Sequence, residues 1–358
     1  MNDAAMPRSD AAVRGGPPSP GGAPWKPGMP VTPKDVIWRD GIAQLYRFRP
    51  TEGAPRDGKA LPVLLVPSII NRWYVLDLRP TASLAGALVK AGLDVYCLDW
   101  GAPEDEDRFL SWDDLQARLG RAVRKTLRDA GGKRLSLLGY CMGATLASIY
   151  AALHNDEVGG FVNLAGPIDF SQGGFLAQMT DKRWFDPDAI ASAGNMGAAQ
   201  MQAGFAALRP TLNIAKWVGW LDRAHLAEAR ESFDALEGWS SDNISFPAAA
   251  YATYIRELYQ DNRLVRGEHF VAGQRVTLES ITCPLLTVVA EKDTICPPPA
   301  AKALNERSRS GDAQVLTVPG GHVGAVVGGK AATLLYPALA RWFAARTRPA
   351  LRSAKSQP

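Results

Sequence analysis

Long apolar runs are missing from this chain. No stretch of about 18 uninterrupted apolar residues occurs, so no transmembrane helix is expected. Cysteine and histidine are scarce, with four of each in 358 residues. Cys97, Cys141, Cys283 and Cys296 contain no C-x-x-C pair, and a chain of this length needs no disulfide staples. Free thiols in a reducing cytoplasm are expected. His154, His225, His269 and His322 lack H-x-x-x-H and H-x-H spacing, which argues against a metal site. An apolar signal core is absent from the first residues. A strong charge of one sign is lacking too. The net charge is +4 with 21% charged residues, so no nucleic-acid partner is implied. Much of the excess sits in "RWFAARTRPALRSAKSQP", and residues 346–358 read as a basic flexible tail.

What remains is 46% hydrophobic composition, enough for one large core with or without an inserted subdomain. Residues 1–35, rich in Pro, Gly and Ala, read as a disordered leader. From residue 36 short apolar runs alternate with helical patterns. "IAQLYRF" (42–48), "PVLLVP" (62–67), "DVYCLDW" (94–100), "LSLLG" (135–139) and "GFVNLAG" (160–166) read as strands, most of them buried on both faces. "ASLAGALVKAG" reads as a helix stopped by glycine. A second helix is capped by Ser111 with Asp114 three residues on, and carries a stripe of Leu115, Leu119, Val123 and Leu127. Strands alternating with helices predict a mostly parallel, doubly wound sheet. The alternation stops at residue 167. Residues 168–280 contain no comparable buried strand but hold Trp184, Trp217, Trp220, Trp239, Phe246, Tyr251, Tyr254 and Tyr259. Strand patterns resume at "CPLLTVVA" (283–290) and "AQVLTVP" (313–319), with helices near 298–309 and 331–345. The reading is a core in two halves, 36–167 and 281–345, with a helical cap inserted between them.

The chemistry centres on "GYCMG", residues 139–143. A G-x-nucleophile-x-G turn between a buried strand and a helix is a nucleophile elbow. The turn is tight enough that only small residues fit beside the nucleophile, and Gly139, Gly143 and Ala144 meet that need. The helix N-terminus favours thiolate at Cys141, and the N–H of Met142 becomes one oxyanion donor. An elbow demands an acid after a later strand and a histidine last. Asp293 follows "PLLTVVA" and His322 lies in "GGHVG" after "AQVLTVP", giving the order Cys141, Asp293, His322. The second oxyanion donor is sought after the first buried strand, at the amide of Ile70 or Asn71. The alternatives are plain: Asp293 as a loop acid capping the next helix, and His322 as a surface loop residue. His154 ends a helix, while His225 and His269 fall in the cap region, on no strand end. Cys97 and Cys283 read as small core residues, and Cys296 as a neighbour of the site.

Several segments together resemble one family. They are "VPSIINRWYVLDLRPTASLAGALV", "VYCLDWGAPED", the elbow, "NLAGPIDF", "FPAAAYATYIRELYQDNRLV", "ITCPLLTVVAEKDTICPP" and "GGHVGAVVGGKA". In this order they resemble the polyhydroxyalkanoate synthases, especially the short class III catalytic subunits, over roughly residues 40 to 345. The resemblance implies an α/β-hydrolase fold with a cap and a Cys–His–Asp set that polymerises 3-hydroxyacyl-CoA, with release of CoA. No cofactor is implied, because the CoA thioester is the substrate. It also implies a helical partner subunit, homo-oligomerisation, and a cytoplasmic location at the surface of polyester granules. Members commonly carry a histidine directly after the aspartate, where this chain has Thr294, and a second glycine where it has Ala144. The other classes consistent with these residues are a cysteine hydrolase or other acyltransferase of this fold, and an inactive granule-binding paralogue.

Overall fold

The computed structural model describes residues 29–51, 58–207 and 225–347. Twelve strands occur among them. The first two, β1 (Lys34–Asp40) and β2 (Ala43–Phe48), form a hairpin. Then come β3 (Val63–Val66), the short ribbon β4 (Asp77–Arg79) and β5 (Ala82–Ser83), and β6 (Val95–Asp99). The series continues with β7 (Leu135–Tyr140), β8 (Val158–Leu164), a ribbon of β9 (Phe270–Val271) and β10 (Gln274–Arg275), β11 (Leu285–Ala290) and β12 (Ala313–Val318). Eight strands make the main sheet in the order β1-β2-β6-β3-β7-β8-β11-β12. From β6 to β12 every pairing is parallel, and only β1 and β2 run against their neighbours. The strands β3, β7 and β11 are buried along their whole length, Ser136 and Thr287 included, as strands covered by helices on both faces must be.

Helices α1 (Leu84–Lys90), α2 (Trp112–Asp129) and α3 (Met142–Leu153) cover the first half of the sheet. The start of α2 is closed by the expected box. Asp114 N–H donates to Ser111 Oγ, and Ser111 N–H donates back to the Asp114 carboxylate. Leu115, Leu119, Val123 and Leu127 are all buried against the sheet. The helix Pro298–Arg307 follows β11, and Tyr336–Ala344 closes the described chain on the opposite face.

Between β8 and β11 the chain forms short helices at Gly174–Met179, Pro187–Ser192, Ala198–Ala207, Ala227–Ser241 and Ala248–Thr253, the last running on as a wider π turn over Tyr254–Gln260. The β9–β10 ribbon also lies here, a small departure from an all-helical insertion. Trp217 and Trp220 lie outside the described residues.

Two terminal boundaries need correction. Residues 1–28 of the expected leader lie outside the described residues, but residues 29–35 are described and tied to the core. The Asp77 carboxylate accepts the amide N–H groups of Val31 and Thr32 and the Thr32 hydroxyl, at 3.1, 2.9 and 2.7 Å. Lys34 then starts β1, its ammonium over the rings of Tyr46 and Trp73. The partner carboxylate stands more than forty residues downstream, so local composition carries no sign of this clamp. At the other end Arg346 is held, not loose. Its carbonyl accepts from Leu61 N–H, and its guanidinium pairs with Asp312 at 2.8 Å. Residues 348–358 lie outside the described residues.

Candidate active site

Cys141 stands at the junction of β7 and α3 with φ 56° and ψ −129°. That is a rare conformation for a residue with a Cβ, and it holds the thiol above the C-terminal edge of the sheet. The glycines are needed for close approach. A Cβ on Gly143 would stand well inside contact distance of the Val66 and Pro67 carbonyl oxygens. One on Gly139 would strike the backbone of Ala144. The turn is further pinned by Cys141 N–H donating to Leu164 O at 3.0 Å and Ala144 N–H to Cys141 O at 2.9 Å. No acidic side chain occupies the first turn of α3, so its positive end faces the sulfur unopposed.

Asp293 and His322 meet at the next strand ends. His322 Nδ1 and Asp293 Oδ2 are 2.7 Å apart, and both side chains are buried. The other carboxylate oxygen accepts from the backbone N–H of Ile295 and Cys296, at 2.9 Å each. One oxygen is thus committed to the backbone and the other to the imidazole. Asp293 does not cap the helix Pro298–Arg307, whose cap position is Pro297. Underneath, the Tyr140 ring stacks on His322, with centroids 5.4 Å apart and 26° between planes.

His322 Nε2 is buried, and with Nδ1 committed to Asp293 it is the ring nitrogen left to interact with Cys141. Burial alone would lower the imidazolium pKa. Cys141 is the largest opposing influence, followed by the hydrogen bond that the imidazole donates to Asp293 and one shared with Cys141, and the net result is a pKa raised to about 10. The rival histidines lie elsewhere. His154 packs on Tyr150 after α3, His225 is exposed, and His269 is bonded to Glu257 at 2.9 Å.

Cys141 opens on a cavity of about 230 Å³. Ile70, Met142 and Cys296 share its core side, while Leu176, Met179, Phe185, Met196 and Phe246 come from the inserted segment. The lining is almost wholly apolar, interrupted by little more than Thr180, Gln200 and the tyrosine hydroxyls. Of the two amides proposed for the second oxyanion donor, that of Ile70 belongs to a residue on this cavity. Asn71 is not on its wall, and its side-chain amide donates to Asn243 Oδ1 at 2.6 Å. Cys97 and Cys283 are buried core residues, and burial drives both thiols up. Cys296 is also buried and its thiol raised, chiefly by burial and then by Asp293 and Cys141.

Tyr140 went unrecognised in the sequence because a residue inside a strand run reads as core. Its only signal is its place directly before the nucleophile. Tyr254 and Tyr259 were legible as aromatics, but not as residues close enough to sense a charge on Cys141. Among the described residues no group of three or more His, Cys, Asp or Glu could hold a metal ion, and no helix is long and apolar enough to cross a membrane.

An eight-stranded, mostly parallel sheet with a cysteine elbow and a carboxylate–imidazole pair at successive strand ends defines the α/β-hydrolase class. Residues 62–328 match the family model for the alpha/beta hydrolase fold. A soluble variant of monoglyceride lipase from Saccharomyces cerevisiae shares the fold, with a TM-score of 0.55 at 16% identity over 90% of this chain and 99% of that one. Residues 27–87 match a second model, the N-terminus of poly-beta-hydroxybutyrate polymerase (PhaC). A poly(3-hydroxyalkanoate) polymerase subunit PhaC from Allochromatium vinosum is 33% identical over 87% of this chain and 88% of its own length. Its counterpart from Haloferax mediterranei is also 33% identical over 88% of this chain, but this chain spans only 64% of that protein. The chain belongs to the poly(3-hydroxyalkanoate) polymerase PhaC family.

Proposed function

We propose that the protein polymerises 3-hydroxyacyl units from CoA thioesters into polyester through an acyl group carried on Cys141. The observation that carries this reading is the elbow cysteine opening onto a buried, nearly apolar cavity. A serine there would turn the thioester into an ordinary ester and lose its activation. A cysteine exchanges thioester for thioester, so the acyl group stays ready for a hydroxyl acceptor.

In this mechanism the Cys141 sulfur attacks the thioester carbonyl while His322 holds the thiol proton. The tetrahedral oxyanion is met by the N–H groups of Met142 and Ile70. The intermediate collapses, the C–S bond to CoA breaks, and the proton passes from His322 to the departing CoA sulfur. A 3-hydroxyl then attacks the Cys141 thioester. His322 Nε2 takes its proton, and an ester bond replaces the C–S bond to Cys141. The bond between His322 Nδ1 and Asp293 supports an orienting role for the carboxylate in both halves. The apolar walls keep out water, whose attack is the competing reaction. Thr294 leaves this geometry without a second imidazole beside Asp293.

The helical partner subunit, homo-oligomer and granule surface implied by the resemblance belong to the same proposal. Exposed Phe175 and Trp184 on the inserted segment give it apolar surface to offer. The decisive assay supplies 3-hydroxybutyryl-CoA and follows both CoA and product. Polymer is expected, with acyl label on Cys141 in the quenched enzyme. Free 3-hydroxybutyrate appearing at the rate of CoA, with and without a partner subunit, would replace the polymerase by a hydrolase.

A further inference from the structure

The loop that leaves β3 carries Ile70, and the same loop is tied to the cap. Four hydrogen bonds make the tie. Asn71 Nδ2 donates to Asn243 Oδ1 at 2.6 Å, and Arg72 Nε to Asp242 Oδ1 at 3.1 Å. Tyr74 OH donates to Asp242 Oδ2 at 2.8 Å, and Trp239 Nε1 to the Arg72 carbonyl at 2.9 Å. Asp242 thus takes one donor on each oxygen, while its own N–H closes the end of the helix Ala227–Ser241.

These bonds differ in weight. Arg72 and Asp242 are partly exposed, so their ion pair contributes little by itself. Tyr74 and Trp239 are buried and pack in one cluster with Trp73, Val75 and Leu76, where an unmade hydrogen bond is costly. The cap side of the tie is continuous with the cavity wall. Phe246, four residues after Asp242, lines the cavity and exchanges backbone hydrogen bonds with Met196, another wall residue. The core side leads within one to four residues to Ile70, which lines the cavity beside Cys141 and Met142.

We infer that Asp242 is a positioning residue for acyl transfer, a latch through which the seated cap holds the Ile70 amide in place to receive the oxyanion. This rests on the acyl-transfer reading above. With the cap displaced at residues 239–243, the loop loses all four ties and the second oxyanion donor loses its fixed position. Substrate enclosure and oxyanion stabilisation are then one event.

The chemistry of Cys141 supplies a discriminating test. Alkylation by iodoacetamide is a displacement at carbon with no oxyanion, so it needs the sulfur and His322 but not the Ile70 amide. Acyl transfer needs both. Full-length wild type, Asp242→Ala, Tyr74→Phe and the double variant are compared for CoA release from 3-hydroxybutyryl-CoA and for iodoacetamide labelling mapped to Cys141. Asp242→Ala should lower kcat by roughly tenfold to a hundredfold, short of the roughly 10²- to 10³-fold loss when an oxyanion donor is removed outright. The Cys141 alkylation rate should stay within about twofold, because the sulfur is untouched, while KM should rise as the released cap encloses substrate less well. Tyr74→Phe keeps the ring and loses one bond, so kcat should fall by about threefold to tenfold. The double variant should be no slower than Asp242→Ala, since both act through one latch.

Unchanged kcat in Asp242→Ala would overturn the proposal. So would a parallel fall in alkylation and acyl transfer, which would make the tie merely structural. If Asp242→Ala does not fold, Tyr74→Phe decides alone by the same split. Wild type that releases CoA but is not labelled at Cys141 would overturn the acyl-transfer reading itself, and the latch with it.

Discussion

The sheet and the cap build their halves of the cavity by different means. On the sheet side, backbone geometry fixes the side chains. Cys141, Asp293 and His322 follow β7, β11 and β12, and hydrogen bonds of the main chain set each turn, as between Lys292 N–H and Gly320 O at 2.9 Å. On the cap side, short helices are joined by aromatic edges. Tyr254 stacks on Trp112 with centroids 5.5 Å apart, and Phe170 meets Tyr259 edge-on at 4.8 Å. Gln260 adds hydrogen bonds to the Thr180 and Phe185 carbonyls. Backbone sterics leave one solution at an elbow, whereas aromatic packing tolerates several. In the proposed mechanism the reacting atoms sit on the rigid side, and the cap supplies shape and exclusion of water.

On this division, damage to the sheet side should abolish chemistry, and damage to the cavity-lining residues of the cap should alter affinity and stability, with only the Asp242 tie carrying a cap substitution through to kcat. The largest effect is expected at the nucleophile. Cys141→Ala should reduce CoA release by at least about 10⁴-fold with the fold intact, because the elbow already accepts small residues. Turnover retained in this variant would break the comparison at its centre. His322→Gln should cost about 10²- to 10⁴-fold, as expected for loss of a general base.

Gly143→Ala attacks the sheet side through its backbone. The added methyl meets the Val66 and Pro67 carbonyls, which cannot withdraw without moving β3. A drop of several degrees in Tm is expected, together with lost labelling of Cys141. A variant as stable and as active as wild type would show that the elbow is looser than its geometry implies.

Phe246→Ala probes the cap. Removing a buried phenylalanine should cost about 3–5 kcal/mol of stability. By chemical denaturation this is large, yet kcat in the surviving enzyme should fall less than in His322→Gln, with KM rising. An equal collapse of kcat would erase the distinction between the two sides. Smallest of all, Trp184→Ser changes an exposed ring. It should leave CoA release from soluble substrate unchanged while weakening association with polyester particles.

The pH dependence sharpens the sheet side further. His322 has a folded-state pKa raised from 6.5 to about 10, against burial and through Cys141 and Asp293. Its stabilising contribution is complete below about 6.5 and is lost as pH rises through about 10. The Tm difference between wild type and His322→Gln should shrink across that interval. In Cys141→Ala, which lacks the largest raising influence, the loss should shift to lower pH. No shift would mean that the imidazole does not sense the sulfur.

The chain alone specified much of this protein. β3 announced itself as an unbroken apolar run, and β7 and β11 as apolar runs broken by a single small hydroxyl residue, Ser136 or Thr287, because a strand covered on both faces has no polar side to display. The elbow was legible because close backbone approach admits only glycine at positions 139 and 143. The order Cys141, Asp293, His322 followed from the strands that precede them. Edge strand β1 was missed, since none of its residues is fully buried and they carry no such pattern. Three things were decided only when distant segments met. One is the clamp of Asp77 on Val31 and Thr32. Another is Tyr140 beneath His322. The third is the joining of Asp242 to Arg72 and Tyr74, some 170 residues apart in the chain. Periodicity reports which face of an element is buried. It cannot report which remote donor a buried carboxylate will find, because that pairing is set by the packing of whole elements.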